Sequence, residues 1–114
     1  MSTRLKPKLL SVMKTYNKLV SDLIPEVIKS TGKECEIEIA PKEERTALLE
    51  AKLMEEVNEY LEDKNLEELA DIMEVLFGLA DNIGYSEEDL LNKRQEKLNE
   101  RGGFKEGIIL KGVK

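Results

Sequence analysis

The sequence predicts a mainly helical, all-α domain of 114 residues, with one small pair of β-strands. Three long segments repeat apolar residues at the three- and four-residue spacing of helices that bury one face. Two short apolar segments instead have the pattern of strands. A core built from so few helices is small, so we expect a homodimer or homotetramer in which helix faces cover one another.

A short helix and a strand are predicted in the first third of the domain. Apolar residues at helical spacing, with Pro25 tolerated in a first turn, predict a helix near 24–31. Strict alternation over 35–39 predicts a half-exposed strand. A lone strand needs a partner, and we expect the apolar segment 107–110 to pair with it and tie the chain ends together.

Three long helices are predicted between these strands. The first spans about 41–62 and has a single apolar stripe. The second starts at Asn65, which together with Glu68 fits a capping box, and it ends at Gly84. Ser86 caps the third helix, which has acidic residues in its first turn and basic residues later, as the helix dipole favours.

Composition excludes several kinds of chemistry. The chain has a single cysteine, Cys35, and no histidine, which excludes an intramolecular disulfide and a cysteine-cluster zinc site and removes the usual general base. Its sequence has no run near the roughly 18 apolar residues of a membrane span, and the N-terminus lacks the apolar run of a signal peptide. We therefore expect a cytoplasmic protein with no membrane partner.

Charge is segregated along the chain. Residues 1–18 hold five basic groups and no acid, 41–75 hold twelve acids against four bases, and 93–105 hold five bases against two acids. We interpret 1–15 as a basic N-terminal extension to a domain at 16–114. A duplex nucleic-acid binder would show a broad basic face, so we expect no stable nucleic-acid partner. The order instead suits a site where metal and cations share a polyphosphate.

Two acidic clusters are the strongest functional signal in the sequence. Glu56 and Glu59 are three residues apart, as are Glu68 and Asp71, so each pair presents two carboxylates on one helix face. A hard cation such as Mg²⁺ or Mn²⁺ removes the repulsion between them and accepts carboxylate oxygens. Asp71 lies in a helix that is apolar nearly all round, where a bare carboxylate is costly. The alternative is a solvated acidic face in which Glu68 only caps its helix.

The basic end of the chain is a second candidate site. Two consecutive glycines, Gly102 and Gly103, let backbone amides approach an anion, and Arg101 can bind phosphate oxygens with two donors. Lys93 and Lys97, one turn apart, add point charges. A glycine-terminated helix with cations in its last turn explains the same residues, and without a neighbouring metal site it is the favoured interpretation.

A resemblance to a known family joins these features. Asn17 and Lys18, which lead into the first apolar segment, fit a helix cap as well as a ligand role. The chain resembles the all-α nucleoside triphosphate pyrophosphohydrolases of the MazG type, especially small members similar to phosphoribosyl-ATP pyrophosphohydrolase, from Tyr16 to about Leu110. The motifs that carry the resemblance are Tyr16-Asn17-Lys18-Leu19-Val20, Ile24-Pro25-Glu26, the EExxE of 55–59, the ExxD of 68–71, Lys97, and Arg101-Gly102-Gly103-Phe104.

The resemblance implies a reaction and a role for each motif. The reaction is hydrolysis between the α and β phosphates of a nucleotide substrate, which gives the monophosphate and pyrophosphate. Phosphoribosyl-ATP is the alternative substrate. The basic end, with Asn17 and Lys18, would hold the phosphates. The implied catalytic carboxylates are Glu55, Glu56 and Glu59, with Glu55 helping to position a water or a second ion, and the implied Mg²⁺ ligands are Glu56, Glu59, Glu68 and Asp71, with Mn²⁺ as an alternative ion.

Two positions depart from the family pattern. Similar proteins usually have arginine and lysine where this chain has Ser21 and Leu23. Two cationic side chains are therefore missing from a region that can help to bind substrate. The departure keeps a further alternative open, in which the chain is a catalytically idle relative that binds metal or nucleotide, or an interaction module.

Overall fold

A computed structural model of the chain describes residues 17–114, so the predicted extension 1–15 and Tyr16 lie outside the described residues. The described part forms four α-helices and no strand, which confirms the all-α class. No helix in this part of the chain is both long and apolar enough to cross a membrane. The helices are α1 (Ile24–Ser30), α2 (Lys42–Asp63), α3 (Leu66–Asn82) and α4 (Glu87–Arg101).

Helices α2 and α3 form an antiparallel hairpin. Lys64, in the left-handed conformation with φ 50°, ends α2, and the Asn65 side chain accepts a hydrogen bond from the Glu68 amide at 3.0 Å to start α3. At the other end of the hairpin, the Asn82 side-chain amide donates to the Thr46 hydroxyl. Because this contact joins the start of α2 to the end of α3, the two helices run in opposite directions along their length.

Gly78 allows α3 to approach α2. A Cβ atom at this position would lie 3.0 Å from Leu49 Cδ2, closer than ordinary van der Waals contact. Glycine in a helix interior costs about 1 kcal/mol relative to alanine, so its presence here is explained by close packing rather than by helix propensity. The close approach helps to bring the facing side chains of the two helices together.

We expect Gly78→Leu to lower the free energy of unfolding by about 1–3 kcal/mol, the usual cost of overpacking a helix contact. Leu49 would have to move, and α2 and α3 would separate. Urea denaturation followed by circular dichroism measures the change. Gly112→Leu is the matched control, because a Cβ there has no neighbour within 4 Å, and it should leave stability unchanged. Equal stability of the two variants would show that the hairpin does not depend on this contact.

The shorter elements follow local signals. Pro25 lies in the first turn of α1, as predicted, and Ile24 is buried. Ser86 and Asp89 form the capping box of α4, in which the Ser86 hydroxyl accepts from the Asp89 amide at 3.0 Å and Asp89 Oδ2 accepts from the Ser86 amide at 2.9 Å. Helix α4 then packs against α3.

The structure does not show the expected strand pairing. Neither 35–39 nor 107–110 has regular secondary structure, and Ile37 and Ile108 are 60% and 83% exposed. A two-stranded ribbon is marginal by itself and needs a helix or further strands against one face. Neither segment gains such a face within residues 17–114, so the alternation of 35–39 indicates a segment that can pair rather than one that does.

Helix α3 has two opposite faces with different surroundings. One face contacts α2 and holds the buried Val75. Among the described residues, only Ile24, Val75 and Ala80 are buried apolar side chains, so one copy of the chain has a very small core. By helical spacing, the face of α3 opposite α2 carries a stripe of exposed apolar residues, interrupted by the buried Ala80 and continued by Ile83 just after the helix: Leu66, Leu69, Met73, Leu76 and Ile83.

Candidate metal centre

The hairpin brings together three acidic side chains from its two helices. One carboxylate oxygen from each of Glu56 on α2 and Glu68 and Asp71 on α3 lies within 4.8 Å of the others. Glu56 is 1% exposed, Glu68 5% and Asp71 7%, so all three are buried. Glu56 is more deeply buried than any apolar residue in the described part of the chain. Charged groups are buried only where a partner or a cation compensates them.

A second group of carboxylates shares Glu56. Glu55, Glu56 and Glu59, one turn of α2, also offer oxygens within 4.8 Å of one another. Glu55 and Glu59 are half-buried, so this group lies between the buried carboxylates and solvent. Glu56 therefore links an inner group that spans the two helices with an outer group on α2 alone.

Two lysines contact the outer group. The Lys52 ammonium lies 3.1 Å from Glu55 Oε2 and 3.3 Å from Glu56 Oε2, and the residue is 6% exposed. The Lys18 ammonium also donates to Glu55 Oε2 at 3.1 Å, which ties the segment before α1 to α2. Burial raises the pKa of Glu55, but the hydrogen bonds from Lys18 and Lys52 lower it by more than burial raises it. The pKa of Glu55 therefore lies below its ordinary value. Glu55 is therefore ionised at neutral pH.

The chemistry of these residues fits a hard divalent cation. Glu56 Oε2 pairs with Lys52, whereas Oε1 of the same carboxylate is buried and accepts no hydrogen bond from residues 17–114. The donors are carboxylate oxygens, which Mg²⁺ and Mn²⁺ prefer. Around an octahedral ion with bonds of about 2.1 Å, adjacent oxygens are about 3 Å apart and opposite ones about 4.2 Å apart. The inner-group oxygens lie within 4.8 Å of one another, an upper limit slightly above the larger of these separations.

The predicted metal ligands divide between the two groups that share Glu56: Glu68 and Asp71 lie with it in the inner group, and Glu59 lies with it and Glu55 in the outer group. The arrangement of the carboxylates in the hairpin has a simple physical origin. Each predicted pair occupies one face of its helix, and the short connection at Lys64 and Asn65 folds those faces onto each other.

Within the part of the chain that the structure describes, the predicted phosphate-binding residues at the basic end are not part of this centre. Lys93 pairs with Glu96 at 3.0 Å on the exposed surface of α4. Within residues 17–114, neither Lys97 nor Arg101 makes a hydrogen bond or ion pair with the acidic groups. Gly102, with φ 81°, ends α4, as expected for a helix-terminating glycine. An anion-binding role for this end stays a prediction, and so does that of the neighbouring, exposed Gly103.

Near the start of the described residues, Lys18 and Asn17 differ in their position relative to the carboxylates. Lys18 reaches the centre through Glu55, as described above. Asn17 is exposed and has φ 46°, in the left-handed region. It does not cap α1, which begins at Ile24 and has no side-chain cap. Of the two, only Lys18 is placed beside the carboxylates by the contacts of the described residues.

Lys52 is the residue of the centre that the sequence pattern did not single out. Its spacing contains the relevant signal, because it lies three residues before Glu55 and four before Glu56, where helical side chains meet. Lysine on a helix is usually exposed, however, and the sequence gives no direct sign that this one is buried.

The fold and the site together define the chain as a helical domain with a carboxylate-rich candidate metal centre. Comparisons with protein-family models, with curated proteins and with solved structures found no significant match. The more specific resemblance to MazG-type pyrophosphohydrolases therefore depends on the sequence motifs alone.

Proposed function

We propose that the protein is a Mg²⁺-dependent nucleoside triphosphate pyrophosphohydrolase that cleaves between the α and β phosphates. The observation that carries the proposal is the group of three buried carboxylates, Glu56, Glu68 and Asp71, contributed by two helices. Carboxylates held this close repel one another, and their burial weakens the screening by water. A divalent cation relieves both costs and is the usual means of activating phosphate chemistry.

The side chains divide the work of the proposed reaction. Glu56, Glu59, Glu68 and Asp71 would hold Mg²⁺, with Mn²⁺ as an alternative. When bound, the ion lowers the pKa of a coordinated water and neutralises phosphate charge. Glu55 is half-exposed at the edge of the buried group and ionised, so it can accept a hydrogen bond from the attacking water and orient it. Each role uses a carboxylate, which suits a chain without histidine.

Two alternatives keep the same metal centre. The first is hydrolysis of phosphoribosyl-ATP, which would differ only in the nucleotide that is bound. The second is a catalytically idle protein that binds metal or nucleotide or serves as an interaction module. The second is favoured by Ser21 and the 67% exposed Leu23, which provide no cation in the segment that Lys18 ties to Glu55.

Pyrophosphate release tests the proposal directly. We expect release from at least one member of a panel of nucleoside triphosphates and phosphoribosyl-ATP with Mg²⁺ or Mn²⁺, and none with chelator. Glu59→Gln should reduce release by more than the roughly 10–100-fold that loss of an outer hydrogen-bond partner costs a metal site, because a ligand itself is lost. Glu50→Gln, at an exposed position of the same helix, is the control and should remain active.

The outcome separates the alternatives. Release from phosphoribosyl-ATP alone would identify the first alternative. Metal binding without release from any substrate would favour the idle protein and would direct attention to Ser21 and Leu23. Release that is unaffected by Glu59→Gln would remove the support for the metal centre itself.

A homodimer or homotetramer is part of the proposal. The exposed stripe on α3 follows the spacing of a helix that packs against another helix. A copy of the same chain carries the same stripe, so two copies can cover each other's α3 around a two-fold axis. Such an assembly would also let the cations of α4 in one copy approach the phosphates held by another.

The predicted strand pairing is proposed to form in the same assembly. The segment 35–39 contains Glu36 and Glu38, whereas Lys105 and Lys111 flank 107–110. Opposite charges favour pairing of neighbouring strands. Both segments expose their isoleucines in the single copy, so pairing between copies would cover apolar surface that one chain leaves in water.

A further inference from the structure

Lys52 occupies an unusual position for a lysine. It lies on α2 among the carboxylates and is 6% exposed, whereas Lys18, which donates to the same oxygen of Glu55, has a side chain that is 30% exposed. Lysine is almost never buried unless it is paired. Here the ammonium contacts two neighbouring carboxylates, Glu55 at 3.1 Å and Glu56 at 3.3 Å. The contacts place its charge at the junction of the inner and outer groups.

The geometry indicates what these contacts do. Glutamate has several rotatable bonds, and a free side chain would sample many orientations. The two contacts of Lys52 come from the same turn of helix, so the backbone of α2 keeps the ammonium within reach of both carboxylates, and its burial restricts the orientations it can adopt. Carboxylates that bind metals are themselves commonly held by outer hydrogen bonds, and loss of such a partner weakens metal binding.

A purely structural ion pair is a weaker explanation of this lysine. Buried ion pairs contribute little net stability compared with apolar residues of the same volume, because both charges lose water. Replacing both partners by apolar residues would avoid that cost, whereas a methionine or leucine at position 52 alone would leave the 1% exposed carboxylate of Glu56 next to an apolar side chain. Glu56 would then lose the contact that orients its Oε2. The Lys52 ammonium is therefore better explained by its effect on the orientation of the carboxylates than by its contribution to the packing of α2.

We propose that Lys52 is a positioning residue of the metal centre, which holds the carboxylates of Glu55 and Glu56 in their metal-binding and water-orienting geometry. It acts through these two side chains and does not touch the substrate. This inference rests on the proposed metal-dependent function. It adds a cationic residue to a centre otherwise built from acids.

Mn²⁺ binding to the full chain, measured by electron paramagnetic resonance, tests the role. We expect Lys52→Met to weaken Mn²⁺ affinity by about 10–100-fold, the effect of losing an outer partner of a metal ligand. Lys52→Arg keeps a charged donor and should restore most of the affinity. Lys42→Met removes one positive charge from an exposed site about 15 Å away along the same helix and should leave affinity unchanged.

Each other result overturns the inference in a different way. Unchanged affinity in Lys52→Met would make Lys52 an ion pair of the fold alone. Tighter binding would show that its ammonium competes with the metal for Glu56. Failure of the wild-type protein to bind Mn²⁺ would refute the proposed metal-dependent function together with the role of Lys52. Failure of the Lys52 role alone would leave Mn²⁺ binding by the wild type intact. Circular dichroism checks folding, and if Lys52→Met does not fold, Lys52→Gln, which removes the charge but keeps a donor, takes its place.

Discussion

Glu56→Gln should abolish Mn²⁺ binding and metal-dependent pyrophosphate release together. Glu56 belongs to both carboxylate groups and is 1% exposed, so its loss affects the inner and the outer ligands at once. We expect affinity and release to fall by more than the roughly 100-fold upper range for an outer partner. Electron paramagnetic resonance of Mn²⁺ and a pyrophosphate-release assay on the same preparation measure the two effects.

Two controls are needed for this variant, one for correct folding and one for the loss of a negative charge. Glutamine has the shape of glutamate and a similar helix propensity, so circular dichroism should show an unchanged helix content. Glu50→Gln, an exposed change of the same kind in α2, should bind Mn²⁺ as the wild type does. If Glu56→Gln bound Mn²⁺ normally, the buried carboxylates would not be ligands, and the proposed function would have to be abandoned.

The helices could be predicted because the signals that start and end them are local. Asn65 and Ser86 cap their helices through hydrogen bonds to residues three positions later, and the sequence contains both partners. The predicted range 41–62 likewise differs from α2 by one residue at each end. Such signals depend only on neighbouring residues and are readable without knowledge of the fold.

The acidic residues of the candidate centre could be predicted from the sequence, whereas its buried lysine, Lys52, could not. Pairs three residues apart necessarily share a helix face, and a two-residue connection brings the two faces together. Lys52 has the same spacing, but its burial depends on how α2 packs, which no local pattern states. An exposed lysine and a buried one have the same sequence signature.

The predicted strand pairing and the predicted anion-binding role of the basic end both require contacts that residues 17–114 do not show. The alternation over 35–39 can be seen in that segment alone. Strand pairing also requires a second segment and a further element that packs against one face of the pair. The cations of α4 likewise lie on a helix that packs against α3 rather than α2. In the proposed assembly a second copy would cover these segments together with the exposed stripe on α3.

In the proposed homodimer or homotetramer, Leu69→Glu combined with Met73→Glu should give a monomer. Both residues lie in the middle of the exposed stripe and are 47% and 48% exposed in a single copy. Burying a leucine or methionine side chain contributes about 1.5–3 kcal/mol, and two facing stripes would lose this contribution twice while gaining charge repulsion. Size-exclusion chromatography with light scattering measures the mass directly. Asn92→Glu with Asn99→Glu adds the same charge to exposed positions of α4 and should preserve the assembly.

The monomeric variant would also distinguish binding from catalysis. Glu56, Glu68 and Asp71 come from one chain, so we expect Mn²⁺ binding to persist after dissociation. Pyrophosphate release should fall, because the cations of α4 do not meet these carboxylates within one copy. Loss of both properties would mean that the centre itself needs the assembly. An unchanged mass would instead show that the stripe is not the interface, and the apolar C-terminal segment, where Phe104 is 98% exposed, would then be the next surface to test.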